Sequence, residues 1–226
     1  RLGAGINASV SLDRSRYSLN ALTPNLADSI ALFADILRHP TFPEDQLERV
    51  RVQALTGLAR EKTSPNGMAM RALPELLYGK AHPYGFSFTG NGTEEGLKAV
   101  SRADLVAYHR RHLQPGNAQL FVVGDTDLAT LMPLLEQAFG DWKGEAAAAD
   151  ATPPAPVSAG RGRILLLNRP GAEQSLIVAA AQAQLTGRDD TLAVALANDV
   201  FGGLASARLN QQLREVKNWS YGAYSS

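Results

Sequence analysis

The sequence predicts an α+β protein. Apolar residues recur at helical spacing in several segments, short runs of β-formers stand between turn residues, and an Ala/Pro-rich stretch divides the chain. Together these describe two similar α/β sandwich domains, each an antiparallel or mixed sheet covered by helices and each truncated. The first spans residues 1–144, a linker 145–161, and the second 162–226.

In chain order, Ile6–Leu12 and Tyr17–Leu22 flank the charged turn Asp13-Arg14-Ser15-Arg16, which predicts a hairpin. Leu26, Ile30, Phe33 and Leu37 then mark one face of a helix that His39-Pro40 stops. A second helix starts near Pro43, with Glu44 and Asp45 favourably placed in its first turn. It carries the stripe Leu47, Val50, Ala54 and Leu58 to about Glu61. Residues 66–78 form a third helix despite Pro74, followed by a loop over 79–92. Ser101 and Asp104 have capping-box spacing and open a helix to His112. A strand at 119–123 turns through Gly124-Asp125 into a helix over 127–139. Beyond the linker come strands 164–167 and 175–180 around the turn Arg169-Pro170-Gly171. Helices at 190–201 and 205–217 and an extended run at 219–226 complete the chain.

The 226 residues are 45% hydrophobic and 19% charged, a globular composition. Lys plus Arg equals Asp plus Glu at 22 each, so no long-range field is available to hold a nucleic acid, and none is expected as a partner. The absence of cysteine removes disulfides, thiolate metal sites and cysteine nucleophiles. No apolar run reaches the roughly 20 residues of a bilayer span, so membrane insertion is not expected. Arg1 is not an initiator Met, so any targeting segment would lie upstream.

Few motifs have catalytic spacing. His109 and His112 could share a helix face as metal ligands, but no third ligand or general base stands near. Their flanking arginines suit a surface position beside a helix C-terminus. Gly202-Gly203 lacks both the preceding strand and the following Lys-Ser or Lys-Thr of a phosphate cradle, and a helix-to-helix turn suits it better. Asp125 and Asp127 fit a turn with an N-cap, and His82-Pro83-Tyr84 fits loop packing rather than a catalytic dyad.

The segment order carries several short motifs: Leu47-Glu48-Arg49-Val50, His82-Pro83-Tyr84-Gly85, Val123-Gly124-Asp125, Ser206-Ala207-Arg208-Leu209, and Leu213-Arg214-Glu215 through to Tyr221-Gly222. On these, nearly the whole chain resembles the pitrilysin, insulysin and mitochondrial processing peptidase family of zinc peptidases. In that family two homologous halves, each a pair of α+β domains, close around an extended peptide. One half binds zinc through H-x-x-E-H and a distant glutamate. Two imidazoles and a carboxylate leave one coordination position for water, and the motif glutamate takes its proton.

By this resemblance H-x-x-E-H would lie upstream of Arg1. The helix for the third ligand is present: its first glutamate matches Glu48, but the ligand position seven residues later is Leu55. The resemblance therefore implies a metal-free half, with no zinc in this half and zinc in a partner. Glu48 is then structural, paired with a neighbouring arginine.

Arg214 and Tyr221 resemble the Arg and Tyr pair of metal-free halves, which would reach substrate at the partner's zinc. Both donate hydrogen bonds suited to a peptide carbonyl and its oxyanion. Arg208, thirteen residues before Tyr221, competes for the arginine role. From the residues alone, a solvated helix end and aromatic strand residues meeting water fit better, and only the register of the resemblance favours the functional reading. The implied function is a non-catalytic half or subunit forming one wall of a chamber for flexible peptides. Its partner would be a homologous half or subunit bearing H-x-x-E-H. The alternatives are a purely structural or docking subunit, and a peptide-binding protein without peptidase activity. Similarity to such proteins favours a bacterial periplasm or cell envelope over cytoplasm.

Overall fold

The computed structural model describes residues 2–145, 162–182 and 190–226. The chain falls into two compact units, residues 1–180 and 181–226. Most of the expected linker, from 146 to 161, lies outside the described residues.

The larger unit opens with the expected hairpin. β1 (Gly5–Val10) and β2 (Ser15–Asn20) pair antiparallel, from Gly5 opposite Asn20 to Val10 opposite Ser15. After a 3-10 turn, α1 (Leu26–Arg38) buries Ile30, Phe33, Ala34 and Leu37 on the face its periodicity announces. α2 (Glu44–Thr63) and α3 (Pro65–Tyr78) meet at Ser64, whose hydroxyl caps α3 by accepting from the Gly67 N–H at 2.9 Å. In the predicted α2 stripe Leu58 is fully buried, whereas Val50 is exposed. α3 runs through Pro74.

A short helix absent from the sequence expectation, α4 (Glu94–Ala99), is capped by Thr93 and followed by α5 (Arg102–His112). The Ser101–Asp104 capping box is complete: each residue's side chain accepts from the other's backbone N–H. α6 (Leu128–Phe139) packs against α1. Arg38 reaches the end of α6, donating from Nη1 to the Ala138 carbonyl at 2.7 Å and pairing through Nη2 with Asp141 at 2.8 Å. Trp142 closes this corner against Phe139, with ring centroids 6.0 Å apart.

The smaller unit holds α7 (Thr191–Asn198), a π-helical turn Asp199–Gly203, the single helical turn α8 (Arg208–Asn210), and a second π-helical turn Gln211–Val216. Thr191–Val216 has the length and mean hydropathy of a membrane span, but it carries Asp199, Arg208, Arg214 and Glu215 and so is no uninterrupted apolar run. It is not one continuous helix, because the chain turns at Leu204–Ala207, where the Ala207 N–H donates to the Leu204 carbonyl at 3.0 Å.

Helices therefore follow the sequence closely, but the sheets do not. Among the described residues the only sheet is the β1–β2 hairpin. The runs 119–123, 164–167, 175–180 and 219–226 belong to no ladder. A helix satisfies its backbone within one segment, whereas a strand needs a neighbour. These runs have β-forming side chains and no adjacent described strand, which leaves Val123 and Ile164 each 99% exposed.

Candidate functional site

Two polar clusters organise the larger unit, and both absorb residues of types that catalysis also uses. At the end of α2, the Glu61 carboxylate accepts from Arg71 at 3.1 Å, from the Thr89 hydroxyl at 3.2 Å and from the Asn91 amide. Partial burial works against its ionisation, but the hydrogen bonds from Asn91, Arg71 and Thr89 outweigh it and hold the carboxyl below its ordinary range. Arg71 also donates to the Gly92 carbonyl at 2.8 Å, so Glu61 and Arg71 bind the 79–92 loop to α2 and α3.

Within that loop the Tyr84 N–H donates to His82 Nδ1 at 3.0 Å, and the His82 ring stacks on Tyr78 with centroids 5.0 Å apart. The Tyr84 hydroxyl donates to Asp13 in the hairpin turn, and this bond raises the phenol above its ordinary value. Gly85 is required for the fold of the loop: a Cβ there would fall 1.9 Å from the Gly79 carbonyl oxygen. The His-Pro-Tyr-Gly run is thus packed as loop structure.

The other sequence candidates in this unit are also accounted for. His109 Nε2 lies 2.7 Å from the Leu37 carbonyl, and His112 packs on Tyr108 with centroids 4.5 Å apart. Asp127 caps α6 by accepting from the Thr130 N–H at 2.7 Å, which lowers its carboxyl below the ordinary range. Asp125 and Asp127 share the wall of an open cleft of about 540 Å³ with Thr23 and Thr130. Glu48 pairs with Arg51 at 3.1 Å, and Arg51 also donates to the Val100 carbonyl at 2.7 Å. Leu55, further along α2, is a half-buried hydrocarbon with no lone pair to offer. The residues on this helix therefore do not fit a zinc ligand pair. Among the described residues no three His, Asp or Glu side chains are grouped to hold a metal.

The smaller unit gathers the residues singled out at the end of the chain. Arg208 opens α8, and Arg214 lies in the second π-helical turn, its side chain 50% exposed and 3.4 Å from Glu215. π-Helical turns occur often at functional sites. The chain reverses through Asn218, whose φ of 55° is a left-handed value that asparagine tolerates. The Asn218 N–H donates to the Arg214 carbonyl at 3.1 Å and the Trp219 N–H to the Leu213 carbonyl at 2.9 Å. Lys217 sits over the exposed Trp219 ring, 5.6 Å from its centroid. Tyr221 is 86% exposed, and its hydroxyl has no partner among the described residues. Arg214 and Tyr221 thus occupy the two arms of one turn, with the phenol exposed.

The returning segment is held by residues that sequence reasoning does not single out. Asn198 Nδ2 donates to the Ser225 carbonyl at 3.2 Å, and the Ser225 N–H donates to the Gly202 carbonyl at 3.0 Å. A Cβ on Gly202 would lie 2.5 Å from Ser225 Oγ, so this glycine serves close backbone approach rather than phosphate binding. Asn210 bridges the Ala205 carbonyl and the Ala223 N–H. Two asparagines within apolar helical sequence are the signal that could have found them: such residues are poor helix formers, and when buried they need partners.

Comparison with known proteins decides the family. The model described as "Peptidase M16 inactive domain" matches residues 99–226, more than half of the chain. The chain belongs to the M16 peptidase family. The family's "Insulinase (Peptidase family M16)" model matches residues 1–83. An uncharacterised zinc protease of Mycobacterium leprae is 26% identical, over 100% of this chain and 50% of the relative. The human mitochondrial-processing peptidase subunit beta is 26% identical, over 89% of this chain and 40% of that subunit. A crystal structure of a peptidase M16 inactive domain from Pseudomonas fluorescens superposes with a TM-score of 0.76 at 25% identity, covering 99% of this chain and 53% of the other. The chain thus spans about half the length of M16 relatives.

Proposed function

We propose that this chain is part of the metal-free half of an M16 peptidase, with residues 1–144 and 162–226 belonging to its two successive domains. It forms one wall of a peptide chamber and presents Arg214 and Tyr221 to substrate held at a partner's zinc. The observation that carries this is the exposed phenol of Tyr221 beside the turn that bears Arg214. The partner is a homologous half or subunit carrying H-x-x-E-H, a reading supported by the processing peptidase relative being a named subunit. Zinc in that partner would supply the activated water for peptide hydrolysis.

The guanidinium of Arg214 holds the scissile carbonyl oxygen, and the Tyr221 hydroxyl donates to it as it gains negative charge. Neither side chain takes or gives up a proton. Donors fixed in advance stabilise charge without reorganisation, so their loss falls on turnover.

The experiment is cleavage of a quenched flexible peptide by the full parent protein together with its zinc-bearing partner. Arg214→Ala and Tyr221→Phe should each lower kcat by about ten- to a thousand-fold, with zinc content unchanged. Silent substitutions, or no cleavage in any combination, would make this a structural or docking subunit instead.

A further inference from the structure

Asn210 is 1% exposed, one of two buried polar residues among those described. Its amide is used from both ends: Nδ2 donates to the Ala205 carbonyl at 2.6 Å, and Oδ1 accepts from the Ala223 N–H at 3.2 Å. Asparagine favours helix less than leucine or alanine does, so its place before a π-helical turn reflects these bonds rather than propensity.

Asn210 lies four residues before Arg214, about one helical turn away. Ala223 lies two residues after Tyr221, which stands at a bend of the returning chain. Tyr221 therefore sits in a short span tied at Trp219 to the Leu213 carbonyl and at Ala223 to Asn210. Beyond it, Ser225 is tied to Asn198 and Gly202. The phenol is exposed, but the backbone that carries it is anchored on both sides.

We propose that Asn210 is a positioning residue for the Arg214–Tyr221 pair, setting the register of residues 219–225 against the helical segment that carries Arg214. The inference rests on the proposed function above. A donor must be aimed before the substrate arrives, and a displacement near 1 Å can cost about a hundred-fold in rate. One buried side chain, bonded to the segment that carries each member of the pair, supplies that aim.

The test is a double-mutant cycle in the parent protein with its zinc-bearing partner. Asn210→Ala should lower kcat about ten-fold with little change in KM, and Asn210→Asp, which keeps the acceptor for Ala223, should recover part of the loss. In a Tyr221→Phe background the Asn210→Ala effect should shrink to about two-fold or less, because the group it aims is gone. A merely structural role would lower the active fraction equally in both backgrounds. Asn198→Ala, at the less buried α7 side chain that holds the same returning segment through the Ser225 carbonyl, repeats the test if Asn210→Ala does not fold. Equal losses in both backgrounds, or no loss, overturn the inference while leaving the proposed function standing. A silent Tyr221→Phe overturns both.

Discussion

Glu61 and Arg71 illustrate how one ion pair can hold a loop. Because hydrogen bonds outweigh burial at Glu61, the folded carboxyl ionises at lower pH than the unfolded one. The unfolded chain therefore binds more protons in this range, and stability rises with pH there. The contribution is complete above the ordinary carboxylate range and is lost as pH falls through and below it. Glu61→Gln should lower thermal stability at pH 7 and flatten the decline between about pH 5 and pH 3, as read by melting curves across that window. Parallel declines in variant and parent would refute this assignment. Neither this cluster nor the Asn210 bridge could be read from the sequence, since their partners lie 10 to 30 residues apart for Glu61 and 13 for Ala223. Arg214 and Tyr221 stand out through family resemblance, and spacing alone does not separate them from a solvated helix end.

At the scale of elements, what is local was legible. The periodicity of α1 names its buried face, and the Ser101–Asp104 box marks the start of α5 within one residue. Ser101→Ala should cost about 1 kcal/mol in denaturant unfolding, with Ser101→Thr, which keeps the hydroxyl that both accepts from and donates to Asp104, restoring most of it. Leu58 is the part of the α2 stripe that is wholly enclosed, so Leu58→Ala should cost about 2–5 kcal/mol, whereas Val50→Ala should cost far less. Equal costs at the two positions would overturn that ranking. The strands were legible only as propensity. Residues 119–123 have the side chains of a strand, but pairing is a property of two segments, and their described surroundings supply no second one.

Across the whole molecule the exposed surface of the described residues includes many large apolar side chains. Much of the apolar part lies on the unpaired runs, where Phe121, Val123, Ile164, Leu166 and Ile177 are all exposed. Unpaired edges carrying apolar side chains template association. The isolated 226-residue chain should therefore self-associate with rising concentration in sedimentation velocity, and Phe121→Lys with Ile177→Lys should shift it toward the monomer. A chain that stays monomeric throughout would contradict this expectation.

The sequence holds two tryptophans, and the fold assigns one to each compact unit: Trp142 against Phe139 in the larger, Trp219 beneath Lys217 in the smaller. Each unit thereby carries its own optical label. Trp142, partly enclosed, should emit to the blue of Trp219 and resist acrylamide quenching. Trp219 stands two residues from Tyr221, so under the proposed function its emission would register an arriving peptide.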